Sequence, residues 1–157
     1  MSLKEFADAL AESPASHAIV GQFWIVPTVQ SIHIIAVAFV LTGSVVLAGR
    51  AYNLVGSDWT PQRWGRRLLP GMWVALVVLL ATGTLLIVGE PPRELPNPFF
   101  QLKMAMLLVA VPLAIWLARR LRRSDGDAAD GTTRALAAVL VLLWLAIISA
   151  ARWIAYV

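Results

Sequence analysis

From Val26 to Ala48 the chain reads VPTVQSIHIIAVAFVLTGSVVLA, 23 residues without a formally charged side chain. Wound as an α-helix at 1.5 Å per residue, that run is about 34 Å long and crosses the ~30 Å hydrocarbon core of a bilayer. Three further apolar runs follow: Leu68–Gly89, Phe99–Ala118 and Ala135–Val157. In lipid only a helix or a closed barrel satisfies its own backbone, and runs of this length are helices. The expected fold class is all-α, a four-helix transmembrane bundle forming a single membrane domain. The spans are placed at about 23–49, 68–89, 98–118 and 135–157. Pro27 fits the first turn of its helix, and Pro112 is expected to bend the third.

Composition supports this and excludes other classes. Of 157 residues 59% are hydrophobic and 14% charged, with a mean hydropathy of +0.75. A soluble domain of this length has too little interior for that much apolar surface. The net charge of +4 and pI of about 10.3 do not point to nucleic acid, because the arginines adjoin the apolar runs. With no cysteine, disulfides, thiolate metal sites and cysteine nucleophiles are excluded.

Before the first span, Leu3, Phe6, Ala7, Leu10 and Ala11 recur at helical spacing opposite Lys4, Glu5, Asp8 and Glu12. This predicts a short N-terminal interfacial amphipathic helix over about 2–13, with Ser2 as N-cap and Pro14 as its end. The acidic N-terminus lacks the basic region of a cleavable signal peptide.

Lysine and arginine set the orientation. Arg50, Arg63, Arg66, Arg67, Arg119, Arg120, Arg122, Arg123 and Arg134 fall on one side, and Lys4, Arg93, Lys103 and Arg152 on the other. The positive-inside rule then places both termini outside, which in a bacterium is the periplasmic face of the inner membrane. Trp24, Phe99, Phe100, Trp153 and Tyr156 near the outer ends, and Trp59, Trp64, Trp73 and Trp116 near the inner ends, suit two aromatic belts. Ser124–Thr133 reads as a solvated loop.

Ionisable groups inside a span are costly, so they are the default functional candidates. His33 stands alone in the first run, with Gln30 three residues before it on the same face. Lys103 and Met104 open the third span, and Ser149 and Arg152 close the fourth. The expected topology gathers Gln30, His33, Glu90, Lys103 and Arg152 in the outer leaflet.

Three readings follow. In one the group is structural: Gln30, Thr82 and Ser149 bond across helices, and Glu90 or Glu94 pairs with Lys103 or Arg152. In another His33 ligates haem b, with Met104 as sixth ligand and Lys103 and Arg152 facing the propionates, or copper, with Met104 or Met106. In the third a small anionic or quinone-like molecule is held by His33, Lys103 and Arg152. No Ser-His-Asp set, HExxH or glycine-rich phosphate loop is present.

The expected function is therefore an accessory membrane subunit or a small-ligand or metal-binding module, acting as a homo-oligomer or with partner membrane subunits. It is not expected to act as an enzyme on its own. The alternative is a haem-b electron-transfer subunit with His33 as axial ligand. Gly43, Ser44, Ala48, Gly49 and Gly83 should allow close helix approach.

The stretches VPTVQSIHIIAVAFVLTGSVVLAGR (Val26–Arg50), PNPFFQLKMAMLLVAVP (Pro96–Pro112) and LWLAIISAARWIAYV (Leu143–Val157) together resemble a family of small bacterial four-helix membrane proteins known only as a domain of unknown function. QSIH, FQLKM and RWIAY are the most distinctive parts. A weaker similarity, a first-helix histidine followed by small residues and a lysine opening a later helix, looks like membrane domains of the copper-resistance (CopD-like) type. That likeness implies metal handling at the periplasmic face, with His33 and Lys103 in corresponding places. This chain has fewer helices, no methionine-rich outer motif and no second intramembrane histidine.

Overall fold

The computed structural model describes residues 2–56, 58–123 and 129–154. The first five residues of the Ser124–Thr133 loop, and Tyr156 of the outer aromatic set, lie outside the described residues. The described residues form seven helices in order: α1 (Leu3–Ala11), α2 (Pro14–Val20), α3 (Ile25–Ala51), α4 (Pro61–Gly89), α5 (Pro91–Glu94), α6 (Pro98–Arg123) and α7 (Gly131–Trp153). No strand occurs among the described residues. α3, α4, α6 and α7 are long and apolar enough to cross a membrane, and the protein is an all-α, multi-pass four-helix membrane bundle.

Local chemistry explains most helix ends. At α1 the Ser2 Oγ accepts from the Glu5 amide at 3.2 Å, and Glu5 Oε2 accepts from the Ser2 amide at 2.7 Å, a reciprocal capping box. Pro14 does more than end α1. It sits at the first position of α2, where its missing N–H and preset φ are harmless, and Ser13 caps that helix through the Ser16 amide. Thr60 caps α4 ahead of Pro61. Asn97 Oδ1 accepts from the Phe99 amide at 2.9 Å where α6 starts. Asp130 caps α7 through the Thr133 amide at 3.0 Å. α4 therefore starts seven residues before its apolar run, and α6 continues through Pro112 and five residues beyond Ala118.

The long helices form a closed ring: α3 packs on α4, α4 on α6, α6 on α7 and α7 back on α3. Consecutive helices alternate in direction, and α3 and α6 occupy one diagonal. α1, α2 and α5 cover the end where α3 and α6 begin. α1 packs on α5, α2 and α4 rather than standing alone, and Ala7 is fully buried.

The core runs through Ala36, Val40 and Leu47 of α3, Leu69 and Met72 of α4, Leu117 and Leu121 of α6, and Leu136, Leu140, Trp144 and Ile147 of α7. Large apolar side chains on the outer surface, among them Ile35, Leu80, Leu108 and Leu142, are more than 60% exposed. That outward apolar surface suits lipid as solvent. Close approach of α3 and α4 relies on Gly43. A Cβ there would stand 2.7 Å from Met72 Sδ, so the methionine side chain would have to shift to admit one.

Candidate functional site

His33 lies on the part of α3 that faces α4. Its Nδ1 is 2.8 Å from Thr82 Oγ1. Gly83 follows, and a Cβ there would sit 3.5 Å from His33 Cε1, so the imidazole rests on the α4 backbone at a place without a side chain. The ring is half-buried, whereas Thr82 is buried.

The hydrogen-bond network assigns the tautomer. A threonine hydroxyl has one proton. Thr82 Oγ1 is 2.6 Å from the Val78 carbonyl one turn earlier and donates to it. Thr82 is then the acceptor from His33 Nδ1–H. In the neutral ring Nε2 carries no proton, and it presents a lone pair for a donor or a metal. Histidine ligands and catalytic histidines are oriented through the second nitrogen in this same way.

Lys103 enters from the opposite corner. It is 20% exposed, and its Nζ lies 4.0 Å from Glu94 Oε2 and 4.8 Å from the centre of the Phe100 ring. A 4.0 Å ion pair is at the outer limit of contact, so Glu94 leaves ammonium hydrogens available. Lys103 lies in the second turn of α6, at the end of the bundle where α3 also begins. The two residues are brought to one end of the bundle core across the α3–α6 diagonal.

The other candidates sit elsewhere. Gln30 is exposed at the bundle surface and does not join the His33–Thr82 pair. Met104, 39% exposed, is among the outward apolar side chains of α6. Arg152 is exposed at the end of α7, where the neighbouring Trp153 stacks on Phe99 at 6.2 Å. Ser149 donates to Leu145 of its own helix rather than across a seam. Glu90 pairs with Arg93 at 2.8 Å, and Glu94 with Lys103. Among the described residues no group of three or more His, Cys, Asp or Glu converges as a metal site.

Two buried polar features carried no signal as sites in the sequence. Arg50, counted there as a loop charge, is 4% exposed. Its Nε donates to the Trp59 carbonyl at 2.6 Å and its Nη1 to Asn53 Oδ1 at 2.5 Å, holding the α3–α4 turn. Trp144, 2% exposed, lines a cavity of about 20 Å³ with Val40, Met72, Leu76, Ala114 and Leu140, and its Nε1–H has no acceptor among the described residues. The spacing of Leu136, Leu140, Trp144 and Ile147 marks that buried stripe of α7 by helical period alone. Nothing comparable marks Arg50.

Residues 19–157 match a family described as "Family of unknown function (DUF6644)", and the chain belongs to that family. The match begins inside α2, so α1 lies outside it. No curated protein matches the chain, and no solved structure does.

Proposed function

We propose that this member of a family of unknown function is an accessory membrane module that takes a small ligand between His33 and Lys103. The observation that carries this reading is the Val78–Thr82–His33 chain of hydrogen bonds, which leaves Nε2 as an acceptor at the end of the bundle that also holds the incompletely satisfied Lys103 ammonium. A ligand that suits both offers a hydroxyl or N–H to Nε2 and an anionic or carbonyl oxygen to Lys103. The ammonium disfavours a second cation at the same place, so a small organic molecule fits better than a copper ion. The module works with partner subunits or as a homo-oligomer, since these residues contain no nucleophile with its base. We place it in the bacterial inner membrane with its nine-arginine end cytoplasmic and both termini periplasmic, on the strength of the charge asymmetry.

Mass spectrometry of small molecules that co-purify from native membranes tests the site. The wild-type protein should carry a molecule that both His33→Ala and Lys103→Ala lose. Equal retention by all three proteins would defeat the reading.

A second reading rests on the same tautomer. A lone pair on Nε2, with Nδ1 anchored, also suits an axial haem ligand. An absorption spectrum separates the two, because a Soret band that disappears in His33→Ala establishes haem. Reporter fusions after Val157 test the orientation, and a cytoplasmic C-terminus would overturn it.

A further inference from the structure

At the end of the bundle away from His33 the chain carries nine arginines and no lysine. The structure separates them by what they hold. Arg50 and Arg134 donate to backbone carbonyls, of Trp59 and Ala51 respectively. Arg120 pairs with Asp130 at 2.6 Å. Arg63 and Arg67 lie over the Trp59 ring at 4.3 and 5.5 Å. Arg66, Arg119, Arg122 and Arg123 are exposed, and no described carboxylate pairs with them.

These four belong to two helices that meet at one seam. Gly65 is in contact with Leu121, a Cβ on it standing 3.3 Å from the Leu121 Cβ, and Gln62 Nε2 donates to the Arg122 carbonyl at 3.0 Å. Arg66 follows Gly65 and Arg122 follows Leu121, each about 100° round its helix from that contact, which in an antiparallel pair is the same side. Arg119 and Arg123 lie farther round α6.

The depth of the patch indicates the partner. α4 projects about 10 Å and α6 about 7 Å beyond their apolar runs at 1.5 Å per residue. The headgroup layer on each side of a bilayer is about 5–8 Å thick. Trp116, half exposed on α6 with Arg120 5.8 Å from its ring, stands at the level where an aromatic belt meets that layer. Guanidinium matches phosphate oxygens two at a time, which an ammonium does not.

We infer that the exposed surface of α4 and α6 beside this seam is a binding site for the phosphate headgroup of an anionic phospholipid, with Arg66 and Arg122 next to the seam and Arg119 and Arg123 farther round α6. It is independent of the proposed site at His33, at the other end of the molecule. Juxtamembrane arginines each strengthen attachment to anionic lipid about fivefold.

The test is lipid retention measured by native mass spectrometry, on protein reconstituted in nanodiscs of equal phosphatidylcholine and phosphatidylglycerol and then extracted in detergent. Wild type should retain phosphatidylglycerol preferentially. Arg119→Gln with Arg122→Gln should weaken that retention about 25-fold. Lys4→Gln and Arg93→Gln at the opposite end should leave it unchanged. Millimolar inorganic phosphate should not displace the lipid, because the site reads a headgroup held at that depth. Equal retention of the two lipids, an unchanged double variant, or displacement by free phosphate would each overturn the inference. If the glutamine variants do not fold, Arg119→Lys with Arg122→Lys keeps the charge and loses the fork. That pair should retain phosphatidylglycerol more weakly than wild type yet above phosphatidylcholine, and wild-type retention by it would count against the site.

Discussion

His33 and Thr82 join α3 to α4 through one hydrogen bond, and because Thr82 gives its only proton to Val78, the imidazole is the donor. Interhelical hydrogen bonds in membranes are worth on average about 0.6 kcal/mol and at most ~1.7 kcal/mol. A double-mutant cycle over His33→Ala and Thr82→Ala, read from unfolding in mixed micelles, should give a coupling in that range. Thr82→Val should also scramble the tautomer, visible as a change in the imidazole nitrogen shifts. A coupling of zero would remove the pair from the account.

Arg50 should matter to folding rather than to orientation. Its guanidinium holds two acceptors of the α3–α4 turn while almost fully buried. Arg50→Gln should cost roughly 1.5–3 kcal/mol, the range for hydrogen bonds to charged groups. Arg50→Lys should recover little, since one ammonium does not reproduce the fork. Reporter fusions should show unchanged topology in both. An inverted protein would mean that the charge count, not the buried bonds, is what Arg50 supplies.

Trp144 separates volume from hydrogen bonding. Trp144→Phe removes an N–H that has no acceptor among the described residues, so stability should stay the same or rise. Trp144→Ala should cost roughly 3–5 kcal/mol through the cavity it opens among Val40, Met72 and Leu140. A large loss in the phenylalanine variant would show that the indole N–H has a partner in the membrane.

Asp130 makes the start of α7 sensitive to acid. Hydrogen bonding from Thr133, with a smaller contribution from the Arg120 charge, holds its carboxyl below the usual carboxylate range. A depressed folded-state value means that the stabilisation is complete above the ordinary aspartate value of 3.8 that holds in the unfolded chain, and is lost as pH falls through the folded one. Hydrogen exchange at the Thr133 amide, corrected for its intrinsic rate, should therefore be flat near neutrality and accelerate in acid. Asp130→Asn keeps a capping oxygen and should abolish most of that acid dependence.

How much of this was legible varies by residue. The four spans, the Ser2 cap, the glycines at the α3–α4 seam and a cross-helix bond at Thr82 could be read from residue type and spacing, because each depends on local geometry. The role of Pro14 could not, since the same ring that ends one helix starts the next. Arg50 was indistinguishable from its neighbours as a loop charge, because burial of a side chain at a helix end depends on where the following turn folds back. Gln30 and His33 share a helix face by spacing, yet one is exposed at the surface and the other meets Thr82.

The sequence by itself determined the class of protein, the number of spans and the end that carries the arginines. Length, apolarity and charge order are properties along the chain, and the bilayer reads them one span at a time. The tertiary structure decided that α4, rather than α6 or α7, supplies the partner of His33, and that α3 and α6 face each other across a diagonal. Apolar residues lie on every side of α3, so its hydrophobic pattern alone does not specify its rotation. That was set by the fit of Met72 against Gly43 and of His33 against Thr82 and Gly83.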